Sequence, residues 1–108
     1  MADPSDPVLI VFVTCPAEAA DMLATAVVEH QRAACVNVLP GVKSVFRWRG
    51  AVERSEESLL LIKTSSGRYT ELERLIRERH PYELPEIVAV KVQTGLPEYL
   101  QWVRDSLL

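Results

Sequence analysis

"AACVNVLPGVKSVFRWRGAVERSEESLLLIKT", residues 33–64, decides the fold. Both halves are rich in β-branched and apolar residues, and Arg49-Gly50 between them reads as a hairpin turn. Pro40-Gly41 interrupts the first half and reads as a bulge or bend rather than a stop. The return arm is polar near the turn and wholly apolar at Leu59–Ile62, which describes a hairpin with a wet tip and a buried base. Such a hairpin overshoots the core of a small domain. Protruding strands need cover or a partner.

Upstream of the hairpin, "VLIVFVT" (8–14) is a continuous apolar run, the pattern of a strand covered on both faces. "CPAEAADMLATAVVEHQR" (15–32) then reads as a helix reaching about Arg32. Pro16 suits its first position, Glu18 and Asp21 complement its dipole, and Ala19, Met22, Leu23, Ala26 and Val27 recur at helical spacing. Downstream, "SSGRYTELERLIRER" (65–79) is a second helix with Tyr69, Leu72, Leu75 and Ile76 as its apolar stripe. Glu73 and Arg77, four apart, give it exposed ionic support.

His80-Pro81 stops that helix, and Pro85 opens the strand "EIVAVKV" (86–92) at a sheet edge, where no ladder donor is missed. "GLPEYLQWVRDSLL" (95–108) closes the chain as a short helix, with Leu96, Tyr99, Leu100 and Val103 as its expected buried positions. The order β-α-β-β-α-β plus a tail predicts an α+β, ferredoxin-like sandwich with both main helices on one sheet face. The strands are apolar on both faces, so the closing helix and a neighbouring subunit are the candidates to cover the other.

At 108 residues the chain is expected to be one domain over 8–108, behind a disordered, proline-rich segment at 1–7. The net charge is −3 and no basic stripe stands out, which argues against a nucleic-acid partner. No apolar run approaches the ~20 residues of a membrane helix, and the start lacks the pattern of a secretory signal. A cytoplasmic protein is therefore expected. Its two cysteines, Cys15 and Cys35, miss zinc spacing, would stay reduced, and default to small buried hydrophobes.

The fold class permits several functions. An RNA-recognition module needs paired aromatics on central strands in a basic surround; Phe12 and Phe46 do not supply that. A small phosphatase needs a phosphate-cradling loop after the first strand; "TCPAEAAD" has no glycine and two acids. No Ser-His-Asp set or pair of catalytic carboxylates is recognisable, so no enzyme is expected.

Taken together, "AACVNVLPGVKSVFRWRG", "LLLIKT", "HPYELPEIVAV" and "EYLQWV" resemble the CutA divalent-cation tolerance family over roughly residues 8–106. The resemblance implies a ferredoxin-like homotrimer, similar in superstructure to the PII signalling proteins, with hairpin arms packed on neighbours. It implies a link to divalent metals, copper especially. It places a metal site at His80, beside the Pro-Tyr motif, where Arg79 stands in place of a second histidine. The family's thiol position falls at Val13, so Cys15 is the candidate to substitute, as a thiol whose pKa a helix N-terminus would lower. Glu83 or Glu86, or symmetry copies, could complete the site. Trp48 belongs at an interface, and Trp102 at a sheet edge or subunit boundary. Lys63 should be buried only with a partner, Glu57 or Glu86. Tyr82 and Glu86 are placed to reach across a subunit boundary. His30, beside Glu29, reads as solvated. The alternatives are a PII-like trimeric sensor holding a small anion or metabolite in inter-subunit clefts, and a structural trimeric scaffold.

Overall fold

The computed structural model describes residues 1–108. The order is β1 (Val8–Cys15), α1 (Ala17–Glu29), β2 (Cys35–Trp48), β3 (Ala51–Ser65), a 3-10 turn, α2 (Tyr69–Arg79), β4 (Ile87–Lys91) and α3 (Pro97–Asp105). The sheet is antiparallel throughout, in the order β2-β3-β1-β4. This is the expected ferredoxin-like α+β plan, with β2 and β4 at the edges.

One sheet face and two helices make the core. Val11, Val13 and Cys15 of β1, Leu60 and Ile62 of β3, Leu23 and Val27 of α1, and Leu72 and Ile76 of α2 form one buried cluster. Pleating sends the alternate residues to the other face. There Phe12 pairs with both Leu61 and Val88, and Ile10 with both Lys63 and Val90. Val88 and Val90 remain about half exposed. α3 contacts β3 and β1 on the side away from that core cluster, and buries Val103. It covers only part of the open face.

The hairpin forms as its sequence predicts. Trp48 pairs with Ala51 across Arg49-Gly50, and both turn residues have positive φ, 50° and 82°. That matches the right-handed twist of the flanking strands. The ladder slips by a bulge between Leu39 and Val42, where Gly41 takes φ 74°. The arm beyond the bulge gives the molecule a 48 Å long axis against 25 and 22 Å.

Two expectations need correction. α1 ends at Glu29, not Arg32, because the chain closes a Schellman motif: the Arg32 N–H reaches the Val27 carbonyl and the Gln31 N–H that of Val28, with Gln31 at φ 56°. On α3, Leu96 and Tyr99 are exposed; Val103 and Leu107 are the buried residues near the end of the chain. Residues 1–7 make contacts with the rest of the chain. The Ala2 N–H donates to Asp105 (2.7 Å), Arg104 Nε to the Asp6 carbonyl (2.7 Å), and the Gly67 N–H to the Asp6 carboxylate (3.1 Å).

Candidate functional site

The chain folds a cleft between the hairpin arm and the loop 80–86. Its geometry starts at Pro81, which forces His80 out of helical backbone to φ −74°, ψ 136° and ends α2. His80 then turns inward and is buried. Its Nε2–H donates to the Thr14 carbonyl at the end of β1 (2.8 Å), and its Nδ1 accepts from the Tyr82 N–H (3.1 Å). This pair of bonds fixes the neutral tautomer. The Tyr82 ring lies 4.8 Å from the imidazole, and its hydroxyl donates to Glu57 Oε2 on β3 (2.8 Å). Glu57 is buried beneath the loop. Burial, then the Glu57 carboxylate, push the Tyr82 phenol above its usual range.

Two adjoining clefts, each about 520 Å³, open above this chain of bonds. Both are lined by Phe46 and Trp48 of the arm and by Tyr82 and Leu84 of the loop. Glu86, exposed, lines one of them, and Glu83 the other.

The expected site residues fall into three groups. Glu57, Tyr82, Trp48 and Glu86 do meet around the cleft, but Tyr82 bonds Glu57 of its own chain. His80 and Cys15 do not offer donors. Both ring nitrogens of His80 are engaged, so ligation there would break a hydrogen bond. Cys15 is fully buried, and desolvation first, then Glu57 and Glu18, raise its thiol pKa, opposite to the lowering expected from the helix end. No three His, Cys, Asp or Glu side chains converge within the chain.

Lys63 and Trp102 lie elsewhere. Lys63 bonds neither Glu57 nor Glu86; its ammonium donates to Asn37 Oδ1 and lies 3.9 Å from Cys35 Sγ, on the neighbouring strand. The register Cys35↔Lys63 makes that contact, and strand pairing alone would have found it. Trp102 stacks at 5.6 Å on Tyr99 and stays half exposed. His30 is exposed at the end of α1, with Nδ1 2.9 Å from the Ala26 carbonyl. Glu73 takes the Tyr69 hydroxyl (2.8 Å) rather than Arg77. The one ion pair is Arg68–Glu71.

These features define a class: a ferredoxin-like α+β protein with an overlong hairpin arm, a half-open sheet and a cleft where the arm meets the α2–β4 loop. The family model of the CutA1 divalent ion tolerance protein matches residues 9–106. The chain belongs to that family. It is 43% identical over 98 residues to the divalent-cation tolerance protein CutA of Thermus thermophilus, covering 90% of this chain and 95% of that one. It is 46% identical to human protein CutA over 87% of this chain, and there it spans only 53% of the relative's length. In structure it is similar to a PII-like protein CutA from Nostoc sp. PCC 7120, at TM-score 0.88 and 35% identity, covering 93% of this chain and 97% of that one. No helix is long and apolar enough to cross a membrane.

Proposed function

We propose that the chain works as a homotrimer in divalent-metal tolerance, copper included, by binding rather than by catalysis. The observation that carries self-association is apolar surface the chain does not cover itself. Phe46, Trp48 and Val52 on the arm, Val88 and Val90 on the open face, and Trp102 on α3 are all between 39% and 60% exposed. Large apolar side chains left this exposed on an arm, a sheet face and a helix suit interaction with another surface. Binding rather than catalysis is supported by the chain of hydrogen bonds from Thr14 through His80 and Tyr82 to Glu57, which engages both ring nitrogens of His80 and the Tyr82 hydroxyl. Two free thiols suit a reducing compartment, and we place the protein in the cytosol.

A metal bound here takes donors from more than one subunit, because no three gather within one. Glu86, exposed at the cleft mouth, is the best placed donor of this chain. Calorimetric titration of Cu(II) and Zn(II) into wild type, His80→Ala and Glu86→Gln tests this. Saturable binding that weakens in Glu86→Gln supports it. Equal binding by all three proteins rules out both residues, and no saturation in wild type rules out the metal site.

A second reading is favoured by the cleft itself. Each half has the volume of a small-molecule site and is walled by aromatic side chains with a few polar groups. With the likeness to a PII-like protein, this supports a sensor whose ligand enters the cleft in the assembled protein.

A further inference from the structure

The family resemblance places a metal at His80, and the surroundings of that residue do not fit one. A ligating histidine offers one ring nitrogen to the metal and donates from the other. Here Nε2–H donates to the Thr14 carbonyl (2.8 Å), but the lone pair on Nδ1 is already taken by the Tyr82 N–H (3.1 Å). A metal at Nδ1 would take that part-buried amide's partner away, which is costly. The companion donors are engaged as well. The Cys15 thiol is fully buried in the core cluster, and the buried Glu57 carboxylate accepts from the Tyr82 hydroxyl (2.8 Å).

The same bonds do a different job. The His80 backbone N–H closes α2 on the Ile76 carbonyl (2.7 Å), and Pro81 then turns the chain away. From that fixed point the ring, 7% exposed, reaches Thr14 at the end of β1 and the amide of Tyr82 in the loop. A neutral imidazole has one donor and one acceptor, and both are used. Tyr82 packs its ring 4.8 Å from the imidazole and anchors its hydroxyl on β3. Beyond these anchors stands Leu84, 72% exposed. We infer that His80 is a positioning residue and not a metal ligand: its imidazole latches the 80–86 loop to the end of β1, and so fixes the apolar loop surface, Tyr82 and Leu84, that a second copy packs against.

The last step rests on the self-association reading. Tyr82 and Leu84 stand beside Phe46 and Trp48, so one apolar surface runs from the arm onto the loop. In a cyclic trimer each copy meets the next through two different surfaces. The chain carries two: this one, and the open sheet face with Val88 and Val90. A loop already ordered loses less conformational freedom when the copies meet. Without the latch, the Tyr82–Glu57 bond is left to hold the loop between its ends.

Wild type, His80→Ala and His80→Gln test this. Glutamine keeps an N–H that can reach Thr14 and has no imidazole; alanine keeps neither. In His80→Ala the amides of residues 82–86 should exchange about tenfold faster than in wild type, with protection largely restored in His80→Gln. Sedimentation at matched concentration should show more dissociation in His80→Ala and near-wild-type assembly in His80→Gln. Where the alanine variant does not fold, wild type alone decides: long-range 15N NMR should report the Nε2–H tautomer of His80, unchanged at saturating Zn(II). A coordination shift at Nδ1 on adding Zn(II) would overturn the inference. So would wild-type exchange of the loop in His80→Ala, or a glutamine variant as loose as the alanine one. The two readings stay distinguishable: a monomeric wild type defeats self-association and the packing step with it, while exchange and NMR still decide the latch.

Discussion

The two cysteines show how far a residue's role is set by its place on the sheet. Cys15 points into the core and is completely buried, and its thiol pKa is raised chiefly by desolvation. Cys35 lies on the opposite face, part exposed, with the Lys63 ammonium 3.9 Å away. Iodoacetamide should therefore label Cys35 in the native protein at least tenfold faster than Cys15, because the thiolate is the nucleophile and it must be reached. Peptide mapping after timed alkylation checks this; comparable labelling would mean β1 opens readily. Much of this site was legible beforehand. Tyr82 and Trp48 could be singled out because aromatics are conspicuous in short motifs, whereas Glu57 was named only as a partner for Lys63, which bonds Asn37 instead. The inward turn of His80 was not legible. It depends on a carbonyl 66 residues away, Thr14, and on a ring whose two nitrogens are satisfied by backbone.

Elements were legible where the chain carries its own punctuation. Pro81, Gly50 and Pro40-Gly41 are residue types with special backbone preferences, and each marks in the structure the helix end, turn or bulge that its type suggests. The end of α1 has no such mark. A glutamine takes the left-handed position that glycine usually fills, so periodicity alone carried the expected helix three residues too far. Gly50, at φ 82° with open space around it, is constrained by backbone alone. Gly50→Val should cost about 1–2 kcal/mol, the strain of a side chain in that region, read as a lower midpoint in urea with an unchanged slope. The contacts of the N-terminal segment were not legible, because its partners are distant in sequence. Asp6 is held by the Gly67 amide and its carbonyl by Arg104 of α3; a Cβ at residue 67 would meet the Asp6 carboxylate at 2.8 Å. Arg104→Ala should leave the sheet amides protected but speed hydrogen exchange in residues 2–6 and in α3 by an order of magnitude or more. If only the mutated turn changes, the segment is not what holds α3.

At the scale of the whole molecule, pH and concentration report on different surfaces. Tyr69 is held by α2 against the core and donates to Glu73; burial, then that bond, push its pKa up to about 12. The unfolded chain releases this proton near pH 10 and the folded one near 12. Between those values the unfolded state binds fewer protons, so stability falls as pH rises, and the contribution is intact below pH 10. Tyr69→Phe should lessen that alkaline slope; Tyr82 and Tyr99, also raised, keep some of it. An unchanged slope would mean that Tyr69 titrates alike in both states.

Concentration tests the surface that burial within one chain leaves uncovered. A compact domain of this length has a radius of gyration of about 13 Å; this chain has 14.5 Å, because the arm leaves the body. The arm's Trp48 and Phe46, and Val88 and Val90 on the open face, gain cover only from another copy or a partner. If copies cover one another, mass action makes the melting temperature rise with protein concentration. Val88 and Val90 sit on β4, an edge strand, with their side chains on the open face beside Phe12 and Ile10. Val90→Glu should then abolish the concentration dependence and shift sedimentation towards the monomer, while far-UV circular dichroism stays that of a folded chain, because Val90 contributes nothing to the core between sheet and helices. A melting temperature independent of concentration in wild type, with a monomer in sedimentation, would leave this apolar surface to a different partner.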